Sequence, residues 1–148
     1  MPARGPERGT SLLEILIGTG VLLTLLSIGL PRLSTLRAPY ALVGATRQIT
    51  AAVQAARQRA IARNVRYRVS FVADPAGYTV ERDNAGTWVA DLPMRRLPDG
   101  ATIGTVTPGN PIFDTRGMLA ATVTVPVTVT GAGTKTVTLN VLGKTAIN

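Results

Sequence analysis

RGTSLLEILIGTGVLLTLLSIGL, residues 8–30, holds one charge, Glu14, between Arg8 and Arg32, and it decides how the rest of the chain is organised. The apolar part, residues 10–30, is twenty-one residues long. As a helix it spans about 31 Å, which matches a bilayer hydrocarbon core of about 30 Å. The run therefore predicts a membrane helix. Ser27, Gly29 and Pro31 close it without the small-x-small site of a cleaved secretory signal, so the helix is expected to stay as an anchor. A carboxylate within such a helix costs about 2.5–3.5 kcal/mol on insertion scales. Glu14 must either snorkel to the nearby interface or meet a cation from another chain. Basic residues do not orient the span, because Arg4 and Arg8 on one side face Arg32, Arg37 and Arg47 on the other.

Composition narrows the chemistry. The 148 residues include no Cys and no His, which removes disulfides, a thiolate nucleophile, a Ser-His-Asp triad and an ordinary zinc site. The chain is expected to be neither an enzyme nor a cofactor protein. Aromatic content of 4% leaves little for stacking successive bases. Sixteen Lys and Arg against eight Asp and Glu give a net charge of +8, which attracts polyanions. No metal site is expected: Asp83, Asn84, Asp91 and Asp99 are spaced too widely for an oxygen cage, and Asp83-Asn84 with Gly86 reads as a hairpin turn. Gly18 and Gly20 do not form a GxxxG contact motif.

Residues 32–64 follow as an amphipathic helix, clearest from Tyr40 to Arg63. At 100° per residue Leu42, Ala45, Ile49, Ala52, Val53, Ala56 and Ala60 share one face, while Arg47, Thr50, Gln54, Arg57 and Gln58 share the other. Small and β-branched residues on the apolar face predict close packing on a sheet, with Ile61 left on the polar side. Residues 65–148 read as a β-rich head. Val65, Tyr67, Val69 and Phe71 alternate with Arg66, Arg68 and Ser70 as a half-buried strand. Strands are expected at residues 78–82, 87–92, 101–106 and 112–113. A terminal hairpin of residues 122–130 and 136–142 turns at Gly131-Ala132-Gly133, with Val inward and Thr outward. Pro126 predicts an edge strand or a bulge.

Arg8-Gly9-Thr10-Ser11-Leu12-Leu13-Glu14-Ile15 resembles a type IV prepilin or pseudopilin signal. Ala56-Arg57-x-x-Ala60-Ile61-x-Arg63-Asn64, running straight into a strand, is similar to the helix-to-strand junction of the GspH/FimT branch of minor pilins. Phe113-Asp114-x-x-Gly117 resembles the element before the final hairpin of that branch. The resemblance implies an α+β, type IV pilin-like fold: a long N-terminal helix, membrane anchor and then amphipathic, on a small antiparallel β-rich head. It implies a leader, residues 1–9, cut after Gly9 by a prepilin peptidase, with N-methylation of Thr10. It implies residues 10–31 as transmembrane helix and later filament core, and Glu14 facing the Thr10 amine of a neighbouring subunit to set register. The leader is then cytoplasmic and the head periplasmic, in a single-pass inner-membrane protein. Its partners would be other pilin or pseudopilin subunits in a type II secretion pseudopilus or a type IV pilus.

The competing reading is a DNA-binding minor pilin of natural transformation. Residues 32–148 carry fourteen basic and six acidic residues, and Arg57, Arg59, Arg63, Arg66, Arg68, Arg95, Arg96, Lys135 and Lys144 are the candidate phosphate contacts. A bland alternative stands beside it: Arg59 and Arg63 complement the helix dipole, and Arg66 and Arg68 are solvent-facing strand residues. Where DNA-binding relatives carry Gly-Arg-x-Arg, this chain reads Gly143-Lys144-Thr145-Ala146, which keeps one cation.

Overall fold

Helix α1 (Leu12–Arg63) is the first element of the computed structural model, which describes residues 11–74 and 76–148, residues 28–36 by backbone alone. The leader, Gly9 and Thr10 lie outside the described residues. Contacts divide the chain into two compact units, Met1–Leu36 and Arg37–Asn148.

In the first unit the large apolar side chains of the described residues are exposed. Those from Leu12 to Leu26 are 45–82% exposed. Its hydroxyls are satisfied by the helix itself: Thr19, Thr24 and Ser27 donate to the carbonyls of Ile15, Gly20 and Thr24 at 2.7, 2.8 and 2.8 Å. Such back-bonding removes polar groups from the helix surface and leaves apolar side chains and Glu14 as what this segment offers its surroundings.

The second unit builds its core on the other half of α1. Leu42, Ala45, Ile49, Ala52, Val53, Ala56 and Ala60 are all buried, the stripe expected from the 3.6-residue period. Thr46 joins them because its hydroxyl donates to the carbonyls of Leu42 and Val43, so nothing polar is left unmet in the interior. The helix ends at Asn64, whose φ of 53° is left-handed, and the Val65 N–H returns to the Ala60 carbonyl at 3.3 Å. That is the 6→1 bond of a Schellman cap, with Asn in place of Gly.

Two antiparallel sheets complete the head. The first is ordered β3 (Thr87–Ala90), β2 (Gly77–Asn84), β1 (Tyr67–Val72), β6 (Ile112–Phe113), with β4 (Arg95–Arg96) also on β2. The second is ordered β5 (Ala101–Ile103), β7 (Val123–Val129), β8 (Gly133–Leu139), β9 (Thr145–Ile147). Their inward residues, among them Tyr67, Val69, Val80, Phe113, Val125, Val127, Val137 and Leu139, form one apolar cluster with the helix stripe. Each such side chain contributes about 1.5–3 kcal/mol on leaving water.

The hairpin of β7 and β8 pairs Val123 with Leu139 through Val129 with Gly133, Val inward and Thr outward. Pro126 lies on an interior strand, flanked by β5 and β8, so of the two expectations the bulge is the one met: Ile103 pairs with Val127 and Thr107 with Thr124, which leaves one extra residue opposite the proline. The ring is tolerated because β5 stops at Ile103. Opposite Pro126 stands Gly104, whose N–H donates to the Pro126 carbonyl at 2.9 Å and whose absent side chain leaves room for the ring. The missing proline donor therefore falls at the bulge, before pairing resumes between Thr107 and Thr124. The outer strands are also shorter than expected, β3 ending at Ala90 and β5 at Ile103.

Candidate functional site

Among the described residues no helix is long and apolar enough to cross a membrane. The described part of the apolar run with side chains, residues 11–27, is seventeen residues, and a full span needs about 20. Gly9 and Thr10 of the expected cleavage site, and the last residues of the run, are not among them. Glu14 is described: it sits in the first turn, its N–H bonded to the Ser11 carbonyl at 2.9 Å, and its residue is exposed.

In the head, the junction residues act as a bracket. Arg57, on the half-exposed side of α1, donates from Nε to the Gly117 carbonyl at 3.1 Å. Gly117 has φ of 75°, and a Cβ there would come within 2.7 Å of Ile61 Cδ1, so Ile61 lies directly on its Cα. The acceptor loop holds itself in place. Asp114 Oδ1 accepts the N–H of Arg116 and of Met118 at 2.9 and 2.8 Å, and its backbone N–H donates to the Met118 carbonyl at 2.9 Å. The turn after β8 is caught by the same side of the helix. Gln54 Nε2 donates to the Gly143 carbonyl at 3.1 Å, and a Cβ on Gly143 would meet Arg57 Cδ at 2.7 Å. Ile61, without a role in the sequence pattern, thus packs with Arg57 over a glycine fifty-six positions on.

The other arginines of the cluster meet carboxylates. Arg59 and Arg63, one helical turn apart, grip the two oxygens of Asp91 at 2.6 and 2.7 Å, and Arg63 also donates to the Tyr67 hydroxyl at 2.8 Å. Burial pushes the Asp91 carboxyl up, but the hydrogen bonds and charges of Arg63 and Arg59 outweigh it and hold the group below the usual carboxylate range. The hydrogen bond from Arg63 to Asp91, then that to Tyr67, raises the guanidinium in turn. Across the outer face of the first sheet, Arg66 pairs with Asp83 and Arg68 with Glu81, the latter directly opposite it in register. Arg68 also lies 4.6 Å from the Trp88 ring centroid, a cation–π contact. Asp83 is held low by Arg66 and by the Gly86 N–H at 2.8 Å, which closes the hairpin turn of Ala85 and Gly86, both at positive φ.

The nine cations proposed for phosphate contact therefore separate into groups. Arg59, Arg63, Arg66 and Arg68 are ion-paired within the head, and Arg57 is bound to a carbonyl. Arg95, Arg96, Lys135 and Lys144 have no carboxylate within ion-pair distance among the described residues. Arg59 and Arg63 were legible as neighbours on one helix face. Their acceptor was not, because Asp91 lies just beyond β3 and only the folded sheet brings it back to the helix.

Comparison with known proteins agrees with this architecture. A family model described as type II transport protein GspH matches residues 45–143. Among solved structures, the type IV minor pilin FimU of Pseudomonas aeruginosa aligns with TM-score 0.59 at 15% identity, covering 72% of this chain and 87% of that one. The minor pseudopilin EpsH from the type 2 secretion system of Vibrio cholerae aligns with TM-score 0.57 at 15% identity, covering 70% of this chain and 92% of that one. No curated protein sequence matches significantly.

Proposed function

The chain belongs to the GspH family, and we propose that it works as a minor pilin or pseudopilin, a structural subunit made as a precursor and assembled through its N-terminal helix. In this reading a prepilin peptidase removes residues 1–9, the helix from Thr10 anchors the head on the periplasmic side of the inner membrane, and the processed subunit joins or primes a pilus or pseudopilus.

What carries the reading is the pairing of a GspH-type head with ten large apolar side chains left exposed along residues 12–26. Such a surface is unstable in water and needs either lipid or the helices of other subunits around it. Glu14 is the one charge there. In lipid it carries an insertion cost, and in a filament the terminal amine of a neighbour would compensate it at low dielectric, so that register depends on one pair. In this reading the role of the head is to present surfaces to other subunits.

Intact-mass analysis of protein extracted from membranes tests the processing step. A chain beginning at Thr10, with or without one added methyl group, is expected. A start at Met1 or near Arg32 would overturn it.

A further inference from the structure

A groove of about 220 Å³ opens in the head between α1 and the loop that leads into β4. Tyr78 and Val80 of β2 form its floor, with Ala51 and Ala55 of the helix on one side and Pro93 and Arg95 on the other. The groove exists because the helix offers alanine here, and a longer side chain at either position would fill it.

The wall that carries Arg95 and Arg96 is braced on every side. Asp91, just ahead of it, is gripped by Arg59 and Arg63. Gln48 Nε2 donates to the Arg96 carbonyl at 3.3 Å, and the Leu97 N–H to the Ala76 carbonyl at 3.0 Å. At Gly77 a Cβ would lie 2.7 Å from the Arg95 carbonyl oxygen, so β4 rests on bare backbone. A cleft held this way is formed before anything enters it, which lowers the ordering cost of binding. Arg95 is exposed and meets no carboxylate among the described residues, and no acidic residue lines the groove, while Arg96 faces the other side of β4.

We propose that this groove docks an acidic segment of a partner protein, which sets an apolar side chain on Tyr78 and Val80 and a carboxylate against Arg95, the cation that shares the Tyr78 face of the sheet. Charge and shape both select that occupant. A phosphate backbone would use the guanidinium and leave the apolar floor empty. A second copy of this chain has little to give: in its head Glu81, Asp83 and Asp91 are ion-paired and Asp114 accepts N–H groups of its own loop, which leaves Asp74 and Asp99. The groove lies wholly within Arg37–Asn148 and does not depend on processing or on the membrane helix.

The full chain in maltoside micelles, labelled with ¹³C at alanine methyls, is titrated with a capped hexapeptide of two glutamates, leucine, phenylalanine and two glutamates. Saturable shifts of the Ala51 and Ala55 methyls are expected. Arg95→Glu should weaken binding about tenfold, and Arg96→Glu, on the other face of β4, should leave it unchanged. Ala55→Gln, which narrows the groove without touching charge, should weaken it as well, and unmoved core methyl signals confirm that each variant is folded. Binding unchanged by Arg95→Glu and by Ala55→Gln overturns the proposal. So does equal binding of a peptide with serine in place of leucine and phenylalanine, and so does tighter occupancy of the same methyls by a short oligothymidylate.

Discussion

The guanidinium of Arg57 and the carbonyl of Gly117 meet at 3.1 Å, donor to acceptor, and fasten the end of the helix to the loop after β6. Gly117 is buried, so without Arg57 its carbonyl would lose a partner while remaining partly shielded from water. Arg57→Met keeps most of the aliphatic stem and removes the donor, and it should destabilise the head by about 1–3 kcal/mol. Chemical denaturation reads this directly. An unchanged midpoint would mean that water replaces the guanidinium at no loss.

Gly117→Ala places a side chain at φ 75° and 2.7 Å from Ile61 Cδ1, which combines backbone strain with a clash. A cost of about 1–3 kcal/mol is expected. Adding Ile61→Ala should recover the steric part alone, since the dihedral is unaltered. A double-mutant cycle separates the two contributions, and strict additivity would show that Ile61 does not press on this turn.

Asp91 couples stability to pH with a definite sign. Its carboxyl is held below its ordinary value in the folded head, so the stabilisation is present above the unfolded-state pKa and is lost as pH falls through the folded one. Asp91→Asn should lower the melting temperature at pH 7 by an amount corresponding to about 1 kcal/mol, a modest figure because Arg63 is half exposed. The gap between the two proteins should begin to narrow below about pH 5, where the unfolded carboxyl begins to protonate, and close only below the lowered pKa of the folded head. A gap that stays constant down to acid denaturation would refute the linkage.

Glu14→Leu removes the charge from the apolar helix. Membrane insertion should become easier by up to about 3 kcal/mol, and the protein should remain in the membrane fraction. Its share in sheared pili or overexpressed pseudopili should fall if Glu14 sets register as proposed. Equal recruitment of both forms would show that Glu14 only snorkels to the interface.

Nucleic acid, if bound at all through the proposed cations, should show a shallow salt dependence. Arg59, Arg63, Arg66 and Arg68 are neutralised in place, and Arg57 is tied to a carbonyl. Contact through Arg95, Arg96, Lys135 and Lys144 alone limits the slope of log K against log salt to about −3.6. A steeper slope would require the internal ion pairs to open on binding.

Much of this head is legible from period and spacing. The helix stripe from Leu42 to Ala60, the alternation of β1 and the Val/Thr hairpin follow from one-dimensional rules, because each is set by which side of a local element meets the core. What the sequence hides is long-range pairing. The cluster from Arg57 to Arg68 reads as an open cationic surface, yet most of it meets acceptors supplied by β2, by the residue after β3 and by the loop after β6. None of those positions carries a local sign of where it will lie. Pro126 signals a bulge, but which strand carries the extra residue depends on a neighbour, the stretch from Ile103 to Thr107, that no local pattern identifies.

The second sheet turns Thr124, Thr128, Thr134, Thr136 and Thr138 outward around Pro126, with the Thr128 and Thr134 hydroxyls 2.7 Å apart. Short hydroxyls bind water readily but offer a neighbour neither a fixed charge nor a broad greasy area. Heads brought close together can slide across such a face without sticking, so crowding should raise the frequency of encounters there without raising their lifetime.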